Sequence, residues 1–139
     1  MAQSVANDVG KKLAEEDAVV RLLGITLDEI RPGSARLRME VRADMINGAG
    51  ICHGGMITTL ADATFAFACN SYNTVTLAVG IDVEFIAPAN EGDLLTATAR
   101  EVSRSRRSGI YDVTVTNQDN ELVAVLRGRC QEIRGQHVL

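Results

Sequence analysis

The feature of the sequence that most constrains the fold is a helical pattern, from about Met56 to Tyr72, that is apolar on nearly every face. A helix that is apolar all round is either buried in a protein core or spans a membrane. This segment is too short and too polar at its ends to span a bilayer, so it predicts a buried helix. Asp62 lies within it, and an unpaired carboxylate on a buried helix is costly. Asp62 is therefore a candidate functional residue.

A glycine-rich segment, Asn47–Gly55, leads directly into this helix. Gly54 and Gly55 lie where the helix begins, and backbone N–H groups at that point have no partner within the helix. With the helix dipole behind them, such groups can polarise a carbonyl and hold a developing oxyanion. A turn that needs unusual dihedral angles before a helix would explain the two glycines equally well.

Composition narrows the class of protein. The chain has 139 residues, 46% of them hydrophobic and 23% charged, which suits one soluble domain over residues 1–139. The net charge of −4 argues against nonspecific binding of nucleic acid. We find no membrane span and no signal-peptide pattern. Three cysteines without a C-x-x-C motif indicate reduced thiols and a cytoplasmic setting, and two histidines are too few for the usual metal sites.

Outside the central helix, the patterns predict one more helix and five strands. Residues 8–22 are predicted to form an amphipathic helix that Gly24 ends. Alternation predicts strands at 35–42, 75–85, 94–103, 109–117 and 121–133, with a turn at 31–33 before the first of them. Because the last turns are short, we expect the last four strands to form an antiparallel meander. We therefore predict an α+β fold in which a curved antiparallel sheet wraps around the central helix. Such a sheet leaves an exposed edge strand, which favours dimerisation.

The sequence also resembles the hot dog fold thioesterases of the phenylacetic acid degradation (PaaI) type. The motif residues are Asn47-Gly48, Cys52-His53-Gly54-Gly55 and Leu60-Ala61-Asp62, and the similar segments are Phe65–Ser71, Phe85–Pro88 and Gly92-Asp93-Leu94. The resemblance covers nearly the whole chain. It implies a hot dog fold and a cytoplasmic acyl-CoA thioesterase that hydrolyses phenylacetyl-CoA, or a ring-hydroxylated relative, to the free acid and coenzyme A. No metal or prosthetic group is implied, and the expected assembly is a homodimer or a dimer of dimers.

Asp62 is the residue that the resemblance identifies as the catalytic acid. A carboxylate can attack a thioester directly or activate a water molecule, and the sequence leaves both mechanisms open. From the pattern alone, Asp62 could also belong to a solvent-facing polar stripe with Thr58 and Thr59.

The spacing of Gly54 and Asp62 carries a separate prediction. The two residues are eight positions apart, which is roughly 12 Å along a helix at about 1.5 Å per residue. A reacting carbonyl needs its oxyanion donor and its nucleophile each within about 3–3.5 Å. If both residues act on one substrate, they must come from two chains, so the sites are predicted to lie between subunits.

Other residues of the segment have two possible roles each. Asn47 could position the substrate carbonyl or the attacking water, or it could be the first residue of an Asn-Gly turn. His53 could orient the loop or touch the thioester. A Cys52–His53 acyl-transfer pair is disfavoured because adjacent side chains usually diverge, so Cys52 is expected to pack as a small apolar residue.

A basic cluster follows in the later strands: Arg100, Arg104, Arg106 and Arg107. Such a turn could bind the phosphates of coenzyme A, or it could be a solvated hairpin tip.

Two other functions remain open for the whole chain, namely a non-catalytic acyl-CoA-binding module and a hot dog dehydratase.

Overall fold

The computed structural model describes residues 1–139 and has one six-stranded antiparallel sheet. The helices are α1 (Ala2–Glu16), α2 (Ala18–Leu22) and α3 (Gly54–Asn70). The strands are β1 (Thr26–Arg31), β2 (Ser34–Glu40), β3 (Thr74–Phe85), β4 (Leu94–Ser105), β5 (Ser108–Thr116) and β6 (Leu122–His137). None of the helices is both long enough and apolar enough to cross a membrane.

The sheet wraps around α3, which contacts all six strands. Leu60, Phe65 and Ala68 of this helix have no exposed surface, and they belong to one continuous core of 29 buried residues. The buried central helix and the curved antiparallel sheet predicted from the sequence are therefore confirmed. The sheet can close over the helix because α3 presents apolar side chains in every direction.

The strand order is β1-β2-β4-β5-β6-β3, which corrects one part of the predicted topology. β4, β5 and β6 form the expected meander, but β3 pairs with β6 and lies at the edge of the sheet. The loop between β3 and β4 carries the chain across the sheet. It begins beside β6, where Ile86 N–H donates to Val123 O, and it ends beyond β2, where Gly92 N–H donates to Val41 O.

The N-terminal region also differs from the prediction. In place of one helix over 8–22, the structure has α1 and α2, because the chain changes direction at Asp17. The side chain of Asp17 caps α2 by accepting hydrogen bonds from the N–H groups of Val19 and Val20. Gly24 follows the helix with φ +67°, as expected of a glycine after a helix end.

The sequence prediction omitted β1, because its apolar alternation is weak. Asp28 and Glu29 of this edge strand pair instead with Arg36 of β2. The turn that joins the two strands is as predicted, and Gly33 in it has φ +78°. The prediction therefore missed a strand that is held by its backbone pairing with β2 and by the buried side chain of Ile30.

β3 contains a bulge between Ala78 and Gly80, so its apolar residues do not share one face. Ala78 lies opposite Cys130, and Ile81 lies opposite Gly128, on the face that covers α3. Leu77 lies opposite Gln131 and points the other way. The edge strand consequently keeps exposed apolar side chains, and Leu77 and Val79 are each more than half exposed.

Candidate active site

The N-terminus of α3 offers one unpaired backbone donor. The Nδ1 atom of His53, the residue before the helix, accepts a hydrogen bond from Gly55 N–H at 3.1 Å. The N–H of Gly54 has no hydrogen-bond partner within the chain. Of the two glycines predicted to bind an oxyanion, Gly54 is the free donor, and Gly55 is satisfied by His53.

Asn47 combines the two roles that the sequence left open. Its Oδ1 atom accepts hydrogen bonds from Ala49 N–H at 2.9 Å and Ile51 N–H at 3.3 Å, so the side chain holds the tight turn. Its Nδ2 group donates no hydrogen bond within the chain and lines the same cleft as Gly54. The amide is therefore fixed by its oxygen, and its unpaired N–H groups belong to a residue that lines the same cleft as Gly54.

The cleft next to Gly54 has a volume of about 450 Å³ and is mostly apolar. Besides Asn47 and Gly54 it is lined by Ile51, Cys52, Ile57 and the segment Phe85–Ala89. No charged side chain is among these residues. The sequence prediction gave Phe85 no role, although it belonged to a segment that resembled the family.

Asp62 lies on α3 against β3. It is half-buried, and it shares a cleft with Thr58, Thr59, Ala78, Gly80 and Ile81. The hydroxyls of both threonines donate to backbone carbonyls of their own helix, at Gly54 O and Gly55 O. The carboxylate has no hydrogen bond or ion pair within the chain. The Asp62 carboxylate thus lies in a cleft with both oxygens unpaired, and it does not belong to a fully solvated polar stripe.

Burial is the main cause that raises the pKa of Asp62 above its usual value, and the negative charge of Asp17 raises it further. A raised pKa brings a carboxylate closer to the range in which it can take up a proton during a reaction at neutral pH. The environment therefore suits a general base, and it also leaves the oxygens free for direct attack.

Within one chain, the structure does not bring Asp62 together with Gly54 and Asn47. Gly54 and Asn47 line one cleft, whereas Asp62 lines two others farther along α3. All of these clefts border β3, the exposed edge of the sheet. This arrangement agrees with the roughly 12 Å separation expected for eight residues at about 1.5 Å per residue.

The Cys52–His53 pair is absent from the structure. Cys52 is buried, and its Sγ atom contacts the backbone oxygen of His53 at 3.7 Å, while the imidazole turns to Gly55. Burial, followed by the negative charge of Asp93, raises the pKa of the Cys52 thiol. A buried thiol with a raised pKa is a poor nucleophile, so Cys52 packs as the sequence indicated.

The arginines of the basic cluster have different surroundings in the structure. Arg104 forms an ion pair with Glu132 at 2.8 Å and lies 3.8 Å over the ring of Tyr72. Arg106 and Arg107 form the exposed β4–β5 turn and have no ion pair within the chain. Arg106 and Arg107 are thus free to bind an anion, whereas Arg104 is engaged in packing.

Comparison with known proteins gives consistent results. A family model described as "Thioesterase superfamily" matches residues 49–124. The chain is 40% identical over 121 residues to the acyl-coenzyme A thioesterase PaaI of Escherichia coli, which covers 87% of this chain and 86% of the relative. It is 35% identical to a putative esterase of Archaeoglobus fulgidus, over 82% of this chain and 74% of the relative. Among solved structures, the E. coli PaaI protein from the phenylacetic acid degradation operon superposes with a TM-score of 0.95 at 36% identity, covering 98% of this chain and 99% of that one.

Proposed function

We propose that this chain, which belongs to the thioesterase superfamily as a PaaI-type acyl-CoA thioesterase, hydrolyses phenylacetyl-CoA or a ring-hydroxylated relative at sites shared between two subunits. The family predicted from the motif residues is thus confirmed. The reaction consumes water and releases a free acid and coenzyme A, without a metal or another cofactor. The three free cysteines agree with a reducing compartment, and we assign the reaction to the cytoplasm.

The thioester carbonyl oxygen is bound at the start of α3. Gly54 N–H and the Nδ2 group of Asn47 are unpaired donors that line the apolar cleft. Together with the helix dipole they stabilise the negative charge that develops on this oxygen when the carbonyl carbon is attacked. Gly55 and His53 support the site by fixing the first turn of the helix.

Asp62 supplies the attacking group. As a general base it takes a proton from water while the water oxygen bonds to the carbonyl carbon, and the carbon–sulfur bond then breaks. As a nucleophile it forms an acyl-enzyme anhydride, which water hydrolyses. In both routes coenzyme A leaves as the thiolate and takes up a proton.

Two chains are needed for one site. Asp62 and Gly54 are too far apart in one chain to reach the same carbonyl, and both border the exposed apolar edge strand β3. Pairing of β3 with the same strand of a second copy would cover the edge and give two equivalent sites in a homodimer. A dimer of dimers is the assembly that the family suggests.

The arginine turn contributes to binding of the substrate's nucleotide. Arg106 and Arg107 are exposed cations without partners, so they can pair with the phosphates of coenzyme A. Across the sheet, Arg104 lies opposite Gly109, Gly109 opposite Cys130, and Cys130 opposite Ala78. The β4–β5 turn therefore lies at the same end of the sheet as Ala78, which lines the cleft that contains Asp62. We therefore assign Asp62 and the arginine turn of one chain to the same site.

The observation that carries the proposal is the free carboxylate of Asp62 in a cleft beside β3. Release of free thiol from a panel of acyl-CoA substrates tests it, with phenylacetyl-CoA expected to turn over fastest. A non-catalytic binding module would bind acyl-CoA without releasing thiol, and a dehydratase would act only on hydroxyacyl thioesters without cleaving them. Either result would refute the thioesterase assignment for this chain.

A further inference from the structure

The ring of Phe85 lies against the first residue of α3. A Cβ atom built on Gly54 would be 2.9 Å from Cζ of Phe85 and 3.3 Å from Cε1 and Cε2. The tip of the ring therefore touches the backbone that carries the free N–H. A side chain at position 54 would therefore push the ring away from the helix.

Phe85 is an aromatic residue that faces the protein interior but remains accessible. It lies opposite Ala124 in the β3–β6 pair, and Ala124 is buried, so the Phe85 side chain leaves β3 on the face that covers α3. Even so, 54% of the residue is exposed, because the cleft opens beside it. An apolar ring with this much free surface next to an oxyanion donor can pack against a bound ligand.

The chemistry of the cleft indicates which part of the substrate it takes. Its walls are largely apolar, including Ile57, Ile86 and Pro88, and none is charged. The coenzyme A portion of the substrate carries phosphates and amides, which need charged or hydrogen-bonding partners. A phenylacetyl group carries only apolar surface beyond its carbonyl, so it matches this lining.

We propose that Phe85 is a specificity-determining residue, whose ring packs against the aromatic ring of the acyl group while Gly54 N–H binds the carbonyl oxygen. This inference rests on the proposed function. It adds the residue that makes the site prefer arylacetyl groups to straight-chain acyl groups. Aromatic pairs gain a small free energy beyond the area they bury, which corresponds to a preference of about 2- to 12-fold.

The test compares kcat/KM for phenylacetyl-CoA and hexanoyl-CoA in wild type and variants. Phe85→Leu and Phe85→Met keep an apolar side chain but remove the aromatic ring, and both are expected to lower the ratio of the two kcat/KM values by about 2- to 12-fold. Val102→Ala is the matched control, since Val102 is 51% exposed and lies in no described cleft, and its ratio should equal that of wild type. Size-exclusion chromatography identifies variants that assemble like wild type.

The outcomes separate the two proposals. If wild type releases no thiol from any acyl-CoA, the proposed function is wrong. If wild type is active and both Phe85 variants keep its substrate ratio, Phe85 does not determine specificity, whatever happens to the overall rate. Because the flexible Met can fill the space that a Leu leaves, assembly of at least one variant is expected, and failure of both would identify Phe85 as a subunit contact and overturn the inference.

Discussion

The imidazole of His53 and the backbone of Gly55 form a hydrogen bond of 3.1 Å, in which Gly55 N–H donates to Nδ1. This bond caps α3 and decides which glycine of the pair remains available. Because Gly55 is satisfied, an oxyanion at this helix would be bound by Gly54. His53 therefore has a positioning role in the structure, although its ring is exposed.

The first prediction concerns this cap. His53→Ala removes the acceptor and should lower the free energy of unfolding by about 0.5–2 kcal/mol, as the loss of an N-cap does. His53→Asn keeps an acceptor near Gly55 N–H and should retain both stability and activity. Chemical denaturation and thiol release measure the two effects. An Asn variant that is stable but as inactive as an Asp62 variant would show that the imidazole acts on the substrate.

Asn47→Asp separates the two roles of Asn47. The carboxylate keeps the acceptor for Ala49 N–H and Ile51 N–H, so the turn should form and the thermal midpoint should stay close to that of wild type. The free Nδ2 donors are lost and a negative charge is placed near the oxyanion, so kcat should fall by about 10²–10³, as when an oxyanion donor is removed. A folded Asn47→Asp protein with wild-type kcat would restrict Asn47 to the turn.

Asp62→Asn should lower kcat by about 10²–10⁴, which is the usual loss for a general base. Turnover within about twofold of wild type would exclude Asp62 from the reaction. The variant should keep the fold, because it keeps the shape of the side chain. Circular dichroism of the variant serves as the control.

The same substitution should stabilise the protein at neutral pH. Burial, and to a lesser extent Asp17, raise the pKa of Asp62 in the folded state. In the unfolded state the pKa of an Asp is about 3.9, and below that pH Asp62 is protonated and carries no burial penalty. As the pH rises through the higher pKa of the folded state, the buried carboxyl ionises and the free energy of unfolding falls. Asn cannot ionise, so its advantage over wild type should be largest at neutral pH and vanish toward pH ~4. Equal stabilities at neutral pH would contradict a burial penalty on the carboxylate.

The arginine turn can be tested without disturbing its neighbour. Changing Arg106 and Arg107 together to Ala should raise KM for acyl-CoA more than for a short thioester that lacks the nucleotide. Arg104→Ala should chiefly reduce stability, because it removes the ion pair with Glu132 and the contact with Tyr72. Equal changes in KM for both substrates in the double variant would identify the turn as a solvated hairpin tip.

Mixing two inactive variants tests the shared site. Gly54→Pro lacks the backbone donor at the first helical position, where proline is otherwise tolerated, and Asp62→Asn lacks the carboxylate. If each site takes Gly54 from one chain and Asp62 from the other, a mixed dimer holds both lesions in one site and leaves the other intact. Activity should therefore return toward one working site per mixed dimer.

Gly54→Ala is the matched control for this experiment. It keeps the N–H but, like Gly54→Pro, displaces the ring of Phe85. Activity retained by the Ala variant assigns the loss in the Pro variant to the missing donor. Mixed dimers that form but recover no activity would mean that the site lies within one chain.

The amino-acid sequence was sufficient to predict the centre of the fold and the candidate residues. The segment from Met56 onward is apolar on nearly every face, so it could be stable only when buried in a protein core. The short turns at 104–108 and 118–120 left β4, β5 and β6 little choice of partner. The separation of Gly54 and Asp62 followed from helix geometry, which depends only on the number of residues between them.

Features that depend on contacts between distant segments could not be predicted in this way and required the three-dimensional structure. β3 lies at the sheet edge because its loop bonds to Val123 and then to Val41, and no local pattern specifies those partners. β1 is held by its backbone pairing with β2 and by the burial of Ile30, not by an alternating pattern of its own. The choice of Gly54 over Gly55 as the free donor depended on the rotation of one imidazole, and the position of Phe85 depended on a bulge that changes the face on which β3 presents its side chains. These are properties of side-chain orientation and strand pairing, which the spacing of residues along the chain does not encode.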